Sequence, residues 1–234
     1  MSEAWFPAGD GTAGQDASMR QKCLPAYLVV DVSASMAPFQ DALNRTLEDL
    51  HLTLSTSPRV SEFAHMSIVV FSHEPIMVLE MTDLAYVPSM PSVVCGGGTH
   101  YGKAFDLVRQ RIDLDIPALS AQGKAVLRPA VFFLTDGEPM DSDWHGSFRA
   151  LVAPGSKRRP HVITYGFGSA DPAVLGKVAT KAAFVATGAT DQNEALSHAI
   201  SSLVNTLVAS ATAAEMRIPA EADGYRSIPV EYVD

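Results

Sequence analysis

Cysteine is scarce in this chain. There are two, Cys23 and Cys95, in 234 residues. Two thiols build neither a disulfide framework nor a four-cysteine zinc site, and the expectation is a pair of reduced thiols in a cytoplasmic protein. Long apolar runs are missing as well: none approaches the roughly 20 residues of a membrane span. The N-terminus lacks the basic start and apolar core of a secretory leader. Basic residues are outnumbered, with 17 Lys and Arg against 26 Asp and Glu and a formal net charge of −9. That balance speaks against non-specific nucleic-acid binding, which needs a basic face. No GxSxG turn offers a serine nucleophile, and the seven histidines do not pair at metal-ligand spacings. Repeats and low-complexity blocks are absent too.

What the chain does contain is an alternation of strand-like and helix-like stretches. Residues 1–22 are rich in Gly, Ala, Ser and Asp without periodicity and read as a flexible tail. An apolar, partly β-branched run over 25–31 reads as a buried strand. Phe39, Leu43, Leu47, Leu50 and Leu54 then recur at helical spacing until Pro58 stops them. Strands are expected at 65–71 and 76–79, and a link of only 72–75 makes that pair an antiparallel hairpin. An irregular loop over 81–95 leads to Gly96, Gly97, Gly98 and Thr99, then to a helix carrying Ala104, Phe105, Val108 and Ile112. Residues 113–127 read as a loose connection. Further strands are expected at 129–135, 161–166 and 182–186, with helices at 143–152, 172–180 and 193–209. The domain is thus expected over 23–210, with a loosely attached tail over 211–234. The alternation predicts an α/β fold, a mostly parallel sheet with helices on both faces.

The chemistry gathers at strand ends. Asp31 closes the first strand, and Ser33 and Ser35 follow on the turn. A carboxylate and two hydroxyls at that spacing are hard oxygens, suited to Mg²⁺ or Mn²⁺, although the same residues would also cap the next helix. Asp136 ends the clearest later strand, and Thr99 follows the glycines. The ordered set Asp31, Ser33, Ser35, Thr99 and Asp136 resembles the von Willebrand factor A (vWA) family, whose metal-ion-dependent adhesion site combines a DxSxS turn with a distant Thr and a distant Asp. Ala34 stands where the family often has Gly. The resemblance covers roughly 24–210. It implies a doubly wound, six-stranded sheet with one antiparallel edge strand. In that sheet the strand order reverses between the strands ending in Asp31 and Asp136, the place where open α/β sheets bind ligands. It also implies one divalent ion held by the hydroxyls of Ser33 and Ser35, by Thr99 directly or through water, and by Asp31 and Asp136 mainly through water and hydrogen bonds.

The stretches 24–31, 132–139 and 166–172 look like the bacterial TerY-like branch, linked to tellurium resistance and chemical stress. That branch implies kinase or PP2C-type phosphatase partners. The expected function is a non-catalytic, metal-dependent protein-binding module that takes a Glu or Asp from its partner, without nucleic acid or membrane. Loops 36–38, 96–102 and 138–146 would surround the contact, with Trp144 as a candidate anchor and Glu138, Asp141 and Asp143 as a repelling acidic rim. The competing expectation is a P-loop NTPase, because 97–103 fits GxxxxGK; the residue after Lys103 is Ala104, however, which has no hydroxyl for Mg²⁺.

Overall fold

The computed structural model describes residues 20–188 and 191–232. Most of the expected N-terminal tail therefore lies outside the described residues. Strand β1 (Lys22–Asp31) opens the described fold and is followed by a 3₁₀ turn, Ala34–Phe39. Helices α1 (Gln40–Ser55) and α2 (Pro58–Phe63) lead into the hairpin β2 (Ala64–Phe71) and β3 (Pro75–Thr82). Next come α3 (Tyr101–Ala121), a two-residue β4 (Ala125–Val126), β5 (Ala130–Thr135) and α4 (Trp144–Leu151). The chain closes with β6 (His161–Gly166), α5 (Pro172–Val178), β7 (Ala182–Ala186), α6 (Gln192–Ala213) and β8 (Tyr225–Ile228).

Among the described residues the sheet has eight strands in the order β3-β2-β1-β5-β6-β7-β8, with β4 alongside β1. The order reverses between β1 and β5, which pair in parallel from Ala26↔Ala130 to Val30↔Leu134. This register brings Asp31, next after Val30, and Asp136, two residues past Leu134, to the same end of adjacent strands. Alternating side chains of β1 point to opposite faces. Leu28 and Val30 pack with Leu43, Leu47 and Leu50 of α1 and with Leu196, Ile200 and Leu203 of α6. Tyr27 and Val29 pack with Phe105 and Val108 of α3 and Phe148 of α4. Both faces of the central strands are covered, which accounts for their continuous apolar character.

Several expectations are corrected. The sheet has two antiparallel edges rather than one, since β8 pairs with β7 from Ala183↔Ile228 to Ala186↔Tyr225. The stretch after 211 is therefore not wholly a loose tail. Its strand is short, and only Ile228 is buried, so no apolar alternation announces it. β1 begins at Lys22 rather than 25 because Lys22 and Cys23 pair with β4. Residues 113–121 are helical despite Pro117. A proline inside a helix costs about 3 kcal/mol, and tertiary contacts offset it. Asp115 accepts a bond from Tyr27 Oη at 3.0 Å and another from Arg111 at 2.9 Å, while Leu119 is buried. Cys23 is buried, Cys95 is half-buried, and neither is bonded to the other. No helix among the described residues is long and apolar enough to cross a membrane.

Candidate metal centre

The backbone turn after β1 is built by its own aspartate. Asp31 is fully buried, and its Oδ1 accepts the Ser33 amide at 2.8 Å. Its Oδ2 accepts the Thr135 hydroxyl at 2.7 Å. Both carboxylate oxygens are thereby aimed, one by the local turn and one by the neighbouring strand. The turn directs the serine hydroxyls outward, Ser33 buried and Ser35 exposed. Ser35 Oγ donates to Asp136 Oδ1 at 2.8 Å, so the 3.0 Å contact between the two serine hydroxyls is completed by the proton of Ser33. Four of the five expected residues thus form one hydrogen-bonded chain.

Thr99, the fifth, follows the glycine loop, and among the described residues its hydroxyl makes no hydrogen bond to the other four. Two backbone bonds stitch that loop to the first turn: Gly96 N donates to Val32 O at 2.7 Å and Ala34 N to Gly97 O at 3.0 Å. Gly97 has a φ of +85°, a backbone conformation disfavoured for residues with a side chain. Thr99 is buried, and its hydroxyl lies 3.7 Å from where a side chain on Gly137 would begin. Gly137 immediately follows Asp136, so the threonine hydroxyl lies beside the strand end that carries the acid. The amide of Met140 donates to Thr99 O at 2.8 Å and so holds the far side of the loop.

Burial raises the Asp31 carboxyl to about 6, against the pull of its hydrogen bonds from Thr135 and Ser33. Burial raises Asp136 as well, opposed by the Ser35 hydroxyl. Two desolvated carboxyls at one strand end favour a cation between them. The donor set fits a hard one. Neighbouring oxygens around an ion with ligands near 2.1 Å in octahedral geometry are about 3 Å apart, matching the 3.0 Å between the serine hydroxyls. Among the described residues no group of three or more His, Cys, Asp or Glu is placed to hold a metal. An ion at this end would therefore depend on serine and threonine oxygens.

Two further residues support the site: Thr135, which the sequence left unmarked, and Asp141, which was expected in the acidic rim and instead caps a helix. Thr135 is buried between Asp31 and Tyr101, whose hydroxyl lies 3.1 Å from Thr135 Oγ1 and donates to Gly137 O at 2.8 Å. A hydroxyl immediately before a strand-end Asp was the available signal. Asp141 caps α3 from a distance: its Oδ1 accepts Tyr101 N at 3.0 Å and its Oδ2 accepts Gly102 N at 2.7 Å. A side chain on Gly102 would begin 2.7 Å from that Oδ2, which explains the glycine.

The same contacts dispose of the nucleotide alternative. A P-loop presents free helix-start amides and a lysine to phosphate. Here Asp141 takes the amides, and Lys103 is turned to Glu74 and to His73 O. Trp144 is no exposed anchor: it is 5 % exposed and packs on Tyr101 with ring centroids 6.2 Å apart. The exposed large apolar residues on the loops at this end of the sheet are instead Val94 and Met140, 79 % and 72 % exposed.

No protein-family model matches this chain, and no curated protein sequence does. Solved structures do. Proximal thread matrix protein 1 from the mussel byssus, in a form with a zinc-occupied MIDAS motif, superposes with a TM-score of 0.59 at 19% identity over 81% of this chain and 48% of its own. The pilus adhesin SpaC from Lactobacillus rhamnosus GG, in an open conformation, gives 0.63 at 13% identity over 81% and 31%. A von Willebrand factor type A structure from Catenulispora acidiphila gives 0.56 at 14% identity over 80% and 43%. The chain spans half or less of the length of each of these structures. Likeness at these identities is likeness of fold, and the fold is that of vWA domains.

Proposed function

We propose that this chain is a non-catalytic, metal-dependent protein-binding module. Asp31, Ser33, Ser35, Thr99 and Asp136 would hold one Mg²⁺ or Mn²⁺ ion, and a Glu or Asp from a protein partner would complete its shell. The carrying observation is the hydrogen-bonded chain from Asp31 through Ser33 and Ser35 to Asp136 at the point where strand order reverses. The zinc-occupied MIDAS motif of the mussel protein supports it by analogy of fold. Such an ion keeps much of its positive charge, because most of the proposed oxygens are neutral hydroxyls, and it attracts an outside carboxylate. Val94 and Met140 would give the partner an apolar rim, while exposed Glu138 and Asp143 favour a partner whose remaining surface is neutral or basic.

The finer part of the proposal is a cytoplasmic role in bacterial stress signalling of the TerY-like kind, with a kinase or PP2C-type phosphatase as partner. It rests on the wording of the strand-end motifs alone. The domain is proposed to run over 23–210, with β8 as an added edge. Isothermal calorimetry tests the metal: one Mn²⁺ or Mg²⁺ per chain is expected, with binding lost in Asp31→Ala and weakened in Ser33→Ala. Binding that is absent, or unchanged in Asp31→Ala, overturns the proposal.

A further inference from the structure

The charges of the β5–β7 half of the molecule are sorted by end. These strands run parallel, so the segments entering them gather at one end of the sheet and those leaving at the other. The entering segments, 122–129, 152–160 and 179–181, contain Lys124, Arg128, Lys157, Arg158, Arg159 and Lys181, and no Asp or Glu. The leaving segments, 136–143, 167–171 and 187–191, contain Asp136, Glu138, Asp141, Asp143, Asp171 and Asp191, and no Lys or Arg. Arg149 and Lys177, in the last turns of α4 and α5, add to the basic end. The chain carries nine more acids than bases. Even so, exposed Arg128, Arg149, Lys157 and Lys177 have no carboxylate partner among the described residues.

Beside these cations lies a groove of about 410 Å³ between α4, α5 and the segment after β8. Phe148, Arg149, Lys177 and Tyr232 line it, together with one acid, Glu231. Tyr232 is anchored by its hydroxyl, which donates to Val152 O at 2.9 Å, and the chain before it by Glu231 N, which donates to Gly176 O at 3.0 Å. The other side of Tyr232 borders a second, smaller depression that Arg128 also lines. Tyr232 therefore has apolar wall on both sides, with Arg149 and Lys177 along one and Arg128 along the other.

We propose that this end is a second docking surface, for an acidic segment of another protein that seats an apolar side chain in the groove beside Tyr232 and lays carboxylates over Arg128, Arg149, Lys157 and Lys177. Charge complementarity selects an anionic partner. A second copy of this chain fits poorly, because most acids of its own acidic end are engaged. Asp141 caps α3, Asp171 and Asp191 cap α5 and α6, and Asp136 binds Ser35. Nucleic acid and anionic lipid present charge without interruption, whereas the cations here are interrupted by apolar wall and by exposed Glu231. A peptide alternates carboxylates with apolar side chains, as the groove does cations with aromatic wall.

The surface is independent of the metal, and its test separates the two. The probe is a fluorescein-labelled peptide of Glu and Asp around one central Phe, followed by anisotropy against the full chain at low salt. Saturable binding is expected, falling as salt rises. The double variant R128E/K157E should bind about tenfold more weakly or worse, since reversal turns attraction into repulsion. Replacing the probe's Phe by Ser should weaken binding, and the titrations are run in EDTA so that no metal at the other end can take the probe's carboxylates. Circular dichroism of the variants checks that they fold. Binding that is not saturable, or equal in the folded charge-reversed variant, overturns the proposal. So does tighter binding of single-stranded DNA of the same charge, or salt-sensitive self-association in ultracentrifugation that R128E/K157E abolishes; these would give the surface to a nucleic acid or to a second copy.

Discussion

At the scale of single residues, the site depends on a hydroxyl outside the metal motif. Thr135 donates to Asp31 Oδ2 at 2.7 Å, and both residues are fully buried. Removing that donor leaves a desolvated carboxylate with one partner fewer. Thr135→Val keeps the shape and loses the oxygen, so it should destabilise the fold by about 1–3 kcal/mol, the cost of an unsatisfied buried group. It should also weaken metal binding, because Asp31 is then aimed by the Ser33 amide alone. Urea unfolding and calorimetry on the same variant check both effects; full stability with unchanged affinity would show that Thr135 merely fills space.

At the scale of elements, the start of α3 is coupled to the loop after β5. No local side chain caps α3, whose N-cap residue is His100. Asp141, forty residues on, satisfies the amides of Tyr101 and Gly102 instead. Asp141→Ala should cost about 0.5–2 kcal/mol, as the loss of an N-cap does. Because Thr99 lies two residues before Tyr101, the same variant should lower metal affinity although Asp141 holds no metal. A thermal melt reads the first effect and Mn²⁺ titration the second. Asn at 141 should recover part of each, since it retains an acceptor oxygen.

At the scale of the whole molecule, the parallel sheet decides where charge collects. The proposed metal end brings Asp31 and Asp136 together, both carboxyls raised chiefly by burial, so a cation would offset the cost of burying their charge. A cation there should stabilise the fold in proportion to its saturation, by about 2.7 kcal/mol at a hundred times its dissociation constant. Differential scanning fluorimetry should therefore show a melting temperature that rises with Mg²⁺ or Mn²⁺ and returns with EDTA. In Asp31→Ala the rise should vanish. A melting temperature indifferent to metal in the parent chain would count against the site.

The sequence alone determined the elements whose signals are local. The apolar run into Asp31, the helical spacing of Leu43, Leu47, Leu50 and Leu54, and the short hairpin link each carry their own periodicity, and the structure has the corresponding β1, α1 and β2–β3 pair. The strand-end positions of Asp31 and Asp136 were legible for the same reason. What tertiary structure decided was every feature whose stabilising partner is distant in the chain. Pro117 lies inside α3, where Tyr27, in another element, bonds the neighbouring Asp115. β8 exists because β7 leaves an edge for it. Thr135 orients an aspartate 104 residues away, Asp141 caps a helix 40 residues back, and Trp144 is buried by Tyr101 rather than offered to a partner. A periodicity reports which face of an element is buried, but not which polar group on another element will satisfy it. That assignment is made when the sheet closes and desolvates those groups together.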